Sequence, residues 1–263
     1  MKSWLWDTSL ITAKADVDEI KLFLEDKKID TLFLQIDPGV PYDHYRLFIT
    51  ELAEMGIAVH ALDGSPDWNQ ADHDRFVRWV SAYQDTTESI AQFQGIHLDI
   101  EPYLQSDWLE NQEEAILTYQ KSIKRMVMGA QELQLPFGVD IPFWFDEIQF
   151  NNQFGSGVLA KWIIQETDEI TIMAYRNQAH GANGIIEIIQ EEIAWADELG
   201  KQIVIALETV ELLEAHTSFF DLGTEVLEKE RRDVHKQYRN RSSYGGFAIH
   251  HLMSWMRLDE AEN

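Results

Sequence analysis

Strand-like and helix-like segments alternate along the whole chain, and this alternation restricts the fold more than any other feature. Eight short runs rich in β-branched, aromatic and aliphatic residues read as strands: SWLWD (3–7), TLFLQID (31–37), IAVHALD (57–63), GIHLDIE (95–101), FGVDIPFW (137–144), EITIMAY (169–175), QIVIALE (202–208) and GFAIHHL (246–252). Between them, residues 16–28, 42–55, 70–91, 111–133, 158–166, 185–199 and 224–239 read as amphipathic helices. Asp16 with Glu19, and Asn111 with Glu114, have the spacing of an N-cap box. Gly56 and Gly200 stand where helices would stop, and Ile185, Ile189 and Ile193 form an apolar stripe. Eight β-then-α units in 263 residues predict an α/β chain folded as a single (β/α)8 TIM barrel over residues 1–263. An open doubly wound sheet is the alternative, but it usually opens with a Gly-rich turn after strand one, and none is present.

Charge and composition exclude several classes of partner. The net charge is −25, from 46 acidic against 21 basic side chains. Such a surface repels phosphate backbones and anionic membranes, so neither nucleic acid nor a membrane is an expected partner. The absence of cysteine removes thiolate catalysis and cysteine-bound zinc. Asp7 interrupts the apolar start of the chain, so no signal peptide is read there and a cytoplasmic location is expected.

In a barrel, the C-terminal ends of the strands form the functional face. Those ends carry Asp7, Asp37, Asp63, Glu101, Asp140, Tyr175, Glu208 and His250 or His251, with Gln35 and Asp99 one step deeper. Asp7 and Asp37 read equally well as caps for loop amides, and Asp140 as a structural carboxylate. The stretch FQGIHLDIEPY (93–103) is harder to explain by structure alone. Its two-residue spacing turns His97, Asp99 and Glu101 to one face of strand four. A carboxyl beside another carboxylate in a partly dry site holds its proton to higher pH, which suits general acid catalysis. Glu101, nearest the mouth, is then the proton donor and Asp99 its partner. His97, deepest, reads as a core histidine.

This stretch resembles the strand-four signature of chitinase-like (family 18) glycoside hydrolases, Asp-Gly-x-Asp-x-Asp-x-Glu. Gly95, Asp99 and Glu101 match it, whereas Gln94 and His97 replace its first two acids. The family's Met-x-Tyr-Asp pattern is similar to MAYR, Met173 to Arg176, with Arg176 in place of the acid. A third likeness is GGFAIHHLMSW, where His250 stands at the step of the family's lumen Trp and Trp255 lies slightly beyond. The resemblance implies that Glu101 protonates a glycosidic oxygen, that Asp99 supports a substrate acetamido group in its attack, and that Tyr175 hydrogen-bonds that group. The departures at Arg176 and His250 bear on an N-acetylated substrate, because the stacking Trp is gone.

IEP also looks like the acid/base of other barrel glycosidases, which pair it with a Glu ending strand seven. Here that residue is Glu208, readable as nucleophile, rim acid or, best, sugar ligand. Asp63, His250, Gln35, Trp144, Trp255 and Arg176 complete the expected carbohydrate site, with the aromatic rings offering faces to sugar C–H groups. Trp79, Trp162 and Trp195 read as helix-to-barrel core. The reading calls for no cofactor and no metal. One alternative is a barrel that binds carbohydrate without cleaving it. Another is a metal hydrolase built on His97, Asp99, His250 and His251, against which the first strand, WLW, offers no His-x-His.

Overall fold

The structure, a computed structural model, describes residues 1–260. Ten strands run in chain order as β1 (Lys2–Leu5), β2 (Thr31–Gln35), β3 (Ala58–Asp63), β4 (Gly95–Leu98), β5 (Phe137–Pro142), β6 (Gln149–Asn152), β7 (Gly155–Val158), β8 (Glu169–Met173), β9 (Gln202–Glu208) and β10 (Tyr244–His250). Eight of them close a barrel in the order β1-β10-β9-β8-β5-β4-β3-β2, and β6 and β7 form a separate two-stranded sheet. The fold is the expected (β/α)8 barrel. The β6–β7 hairpin escaped the sequence reading because NNQFGSG carries too few apolar residues to register as paired strands.

The helices are α1 (Lys14–Asp26), α2 (Tyr42–Glu54), α3 (Gln70–Asp85), α4 (Asp107–Glu110), α5 (Gln112–Leu133), α6 (Leu159–Glu166), α7 (Ile185–Ile188), α8 (Gln190–Leu199), α9 (Gly223–Tyr238) and α10 (Leu252–Glu260). Asp16 is not the cap of α1. The helix starts at Lys14, so Asp16 lies in its first turn, where its charge favours the positive end of the helix dipole. Asn111 occupies the cap position of α5 but makes no side-chain cap bond. The reciprocal box is found at α3 instead, between Asn69 and Asp72. The helix expected over 185–199 breaks at Ile189 into α7 and α8. Gly200 ends α8 in the left-handed conformation, as expected. Among the described residues no helix is long and apolar enough to cross a membrane.

By packing, the chain separates into two compact units. The first comprises Met1–Val139 with Phe150–Gly155, and the second Asp140–Gln149 with the chain from Ser156 onward. In the first unit β1 to β4 pair in parallel and in simple register, with Leu5 beside Leu34, Gln35 beside Leu62 and Asp63 beside Leu98. Strands buried on both faces need continuous apolar runs, and TLFL and GIHL are buried throughout. The His97 ring is fully buried and stacks on Phe33 at 3.7 Å, with Trp4 edge-on at 6.2 Å. His97 is thus the core histidine the sequence suggested. In the second unit β8 pairs with β9 and β9 with β10, which sets Glu208 directly beside His250.

Candidate functional site

In the first unit the ends of β2, β3 and β4 hold Gln35, Asp63, Asp99 and Glu101. Gln35 donates its amide N–H to Asp63 Oδ1 at 2.9 Å, and the same oxygen accepts the Gly64 N–H at 2.8 Å. Burial pushes the Asp63 carboxyl up, and these two donors pull it back. Gly64 then turns against the neighbouring strand. Its φ is +154°, and a Cβ there would lie 1.9 Å from the Asp99 carbonyl oxygen. Only glycine fits, so the chain after β3 presses on the backbone of Asp99, whose own N–H donates to the Asp63 carbonyl at 3.1 Å. Two of the expected acids are therefore tied together through their main chains.

Glu101 follows where β4 gives way to a 3-10 turn, Pro102–Leu104. Proline can start this turn because its missing N–H is not needed there. The turn folds Tyr103 back, and its hydroxyl donates to Glu101 Oε1. Trp108 packs edge-on against the Tyr103 ring at 6.4 Å. Burial first, then the Glu101 charge and this hydrogen bond, drive the Tyr103 phenol far above its ordinary value. It therefore stays protonated and remains a donor. Sequence reasoning passed over Tyr103. The signal was a tyrosine two residues beyond the acid with a proline between, which is the geometry of a turn that doubles back.

Asp7 and Asp37 take the structural role. Asp7 accepts from the Ser9 N–H at 3.0 Å and caps a short 3-10 turn, and Asp37 accepts from the Gly39 N–H at 2.7 Å. Asp140 is 2% exposed within β5.

The second unit carries the other expected residues. Glu208 is 3% exposed. Its Oε1 accepts the N–H groups of Thr209 and Val210, each at 2.7 Å, and its Oε2 lies 2.8 Å from His250 Nδ1. Two N–H groups and the His250 ring thus engage both carboxyl oxygens, which fixes Glu208 beside His250. The Tyr175 ring lies 6.1 Å from that of His250. Next to it, burial and the adjacent His250 lower His251 to about 4, so it is neutral near pH 7.

Arg176 is held within its own loop. Its guanidinium donates to the Tyr175 carbonyl at 2.7 Å and to Asn183 Oδ1 at 3.1 Å, and it lies over the Phe143 ring at 4.7 Å. Trp144 is half-buried in the 3-10 turn Phe143–Glu147. Trp255 is 1% exposed in α10 and has no face to offer a ligand. Among the described residues no group of three or more His, Asp or Glu side chains is placed to hold a metal ion.

A barrel with acids and aromatic rings at its strand ends defines the general class of α/β barrels that work through those ends. No protein-family model matches the chain, and no curated protein is similar to it in sequence. Solved structures do share the fold. The glycoside hydrolase domain of PgaB (BpsB) from Bordetella bronchiseptica superposes with a TM-score of 0.58 at 9% identity, over 97% of this chain and 94% of that one. A chitinase from Chromobacterium violaceum gives 0.54 at 12% identity, over 98% and 97%. A family 18 chitinase from Pseudoalteromonas aurantia gives 0.53 at 10% identity, over 100% and 99%. The chain has the fold of chitinase-like barrels, end to end.

Proposed function

We propose that this protein is a glycoside hydrolase with Glu101 as its general acid. The observation that carries the reading is the hold on Glu101 at the end of β4. Tyr103 donates to one carboxyl oxygen, and the clamp of Gly64 on the Asp99 backbone fixes the strand two residues earlier. A general acid must be held within hydrogen-bond reach of the oxygen it protonates, and a carboxyl gripped in this way is pre-positioned. The fold is shared with the glycoside hydrolase domain of PgaB and with a chitinase, which supports a hydrolase reading. Asp99, one step deeper, would orient the attacking group.

The engagement of both Glu208 oxygens favours a route in which Glu208 is not the nucleophile. A substrate group or a water would then attack the anomeric carbon while Glu101 protonates the leaving oxygen. Amino-sugar or cell-wall polysaccharides are the substrate class to test first, since the named neighbours are chitinases and a PgaB hydrolase domain.

The test is hydrolysis of a panel of polysaccharides by wild type and Glu101→Gln side by side. General acid catalysis is worth roughly 10²–10⁴-fold, so kcat should fall by that factor with the melting temperature unchanged. Equal turnover by both proteins would remove Glu101 from the chemistry. Binding of the panel without cleavage by wild type would identify a carbohydrate-binding barrel instead.

A further inference from the structure

The first unit contains a concavity between α3 and α5, beyond the end of β4. Ile100 and Pro102 wall a cleft of 810 Å³ between α3 and α5, whose lining does not include Glu101. The cleft exists because the two helices converge and then part. At Gly129 a Cβ would meet Val77 at 2.6 Å, so α5 and α3 touch there almost backbone to side chain. One turn earlier on each helix, Arg125 and His73 stand on opposite walls of the opening, and Arg125 reaches Asp74 at 2.6 Å.

The lining has three properties that together specify a ligand. The first is a buried acceptor. His73 is 2% exposed, and its Nδ1 faces the Asn69 carbonyl, so that nitrogen carries the proton. Nε2 is then a bare lone pair, and it has no hydrogen-bond partner. Leaving such an atom unpaired is costly, and a hydroxyl donor would satisfy it. Second, Trp68, Tyr119 and Phe154 line the cleft with aromatic rings, and Trp68 sits edge-on to His73 at 5.2 Å. Third, the charges balance. Lys121, Lys124 and Arg125 share the lining with Asp67, Asp107 and Glu114 in a chain whose net charge is −25. This local neutrality selects against both polyanions and polycations. A neutral ligand with many hydroxyls and apolar ring faces meets all three conditions.

We infer that the α3–α5 cleft is an accessory binding site for a carbohydrate chain, separate from the site at Glu101. The inference rests on the proposed function for its choice of ligand. A polymer held there would be anchored beside the strand that carries the acid, so long substrates would gain affinity that short ones do not.

The test is calorimetric titration of six-unit oligomers of N-acetylglucosamine, glucosamine, glucose and xylose into Glu101→Gln, which binds without turnover. Two sites per chain are expected for at least one oligomer. Trp68→Ala should weaken one of them at least tenfold and leave the other intact. Because Trp68 also packs on Phe76 at 5.8 Å, Thr118→Arg provides a second variant that blocks the cleft from an exposed helix position. A single site per chain, or two sites untouched by both variants, would overturn the accessory site while leaving Glu101's role standing. No binding by any oligomer, together with no turnover by wild type, would overturn both.

Discussion

At the residue scale, two contacts around strand four support the proposed chemistry and can be tested singly. Tyr103 donates to Glu101, and hydrogen bonds to charged groups are worth about 1.5–3 kcal/mol. Tyr103→Phe should lower kcat roughly tenfold and cost about 1–3 kcal/mol in stability. Unaltered kcat would mean that Glu101 is positioned by other contacts. Gly64 cannot take a side chain without moving the Asp99 carbonyl, so Gly64→Ala should cost at least ~2 kcal/mol in a denaturation midpoint experiment and reduce activity with it. An unperturbed Gly64→Ala protein would show that the β3 and β4 ends are not locked together. Both features were partly visible in the chain. Asp99 and Glu101 announced themselves by spacing, but the donor to Glu101 and the glycine clamp depend on where the chain goes after each strand.

Elements add a different kind of constraint, most clearly at α8. Glu192 lies on that helix, fully buried, and neither carboxyl oxygen has a hydrogen-bond partner. Burial, reinforced by the charges of Asp146 and Glu191, pushes it up to about 8. The unfolded chain would release this proton near the ordinary value of 4.5, whereas the folded chain keeps it to about 8. Below that window both states are protonated and Glu192 costs nothing. Through the window stability falls as pH rises, and above it the penalty is constant, on the order of a few kcal/mol. Glu192→Gln should therefore match wild type in chemical denaturation at acid pH and become progressively more stable than it towards pH 8. A constant difference across that range would contradict the burial of a neutral carboxyl. The sequence showed this residue only as one of several acids on a helix, QEEIAWADEL. Glu192 turns inward because it stands three residues after Ile189 and beside Ile193, on the buried face of α8. Apolar periodicity without the break merged the two helices.

For the whole molecule the governing quantity is charge. With −25 over 263 residues, self-repulsion opposes the compact state. Raising ionic strength from 0.01 M to 0.1 M shortens the screening length from about 30 Å to about 10 Å. The thermal midpoint should rise by a few degrees over that interval, because more repulsion than attraction is screened. A falling midpoint would mean that surface pairs such as Lys21–Glu51 and Arg125–Asp74 dominate.

What the sequence determined by itself was the barrel. Eight mostly buried apolar runs alternating with amphipathic helices leave few ways to hide their surface. Tertiary structure decided how the other residues are used. Glu208 became the anchor of His250 because β9 and β10 set them side by side in register and because the chain beyond Glu208 offers it two N–H groups. Trp255 went into the core and Arg176 into its own loop. The α3–α5 cleft appeared where two helices, far apart in sequence, part beyond one close contact. Register, turn geometry and helix separation depend on pairings between distant segments, and local spacing carries no record of them.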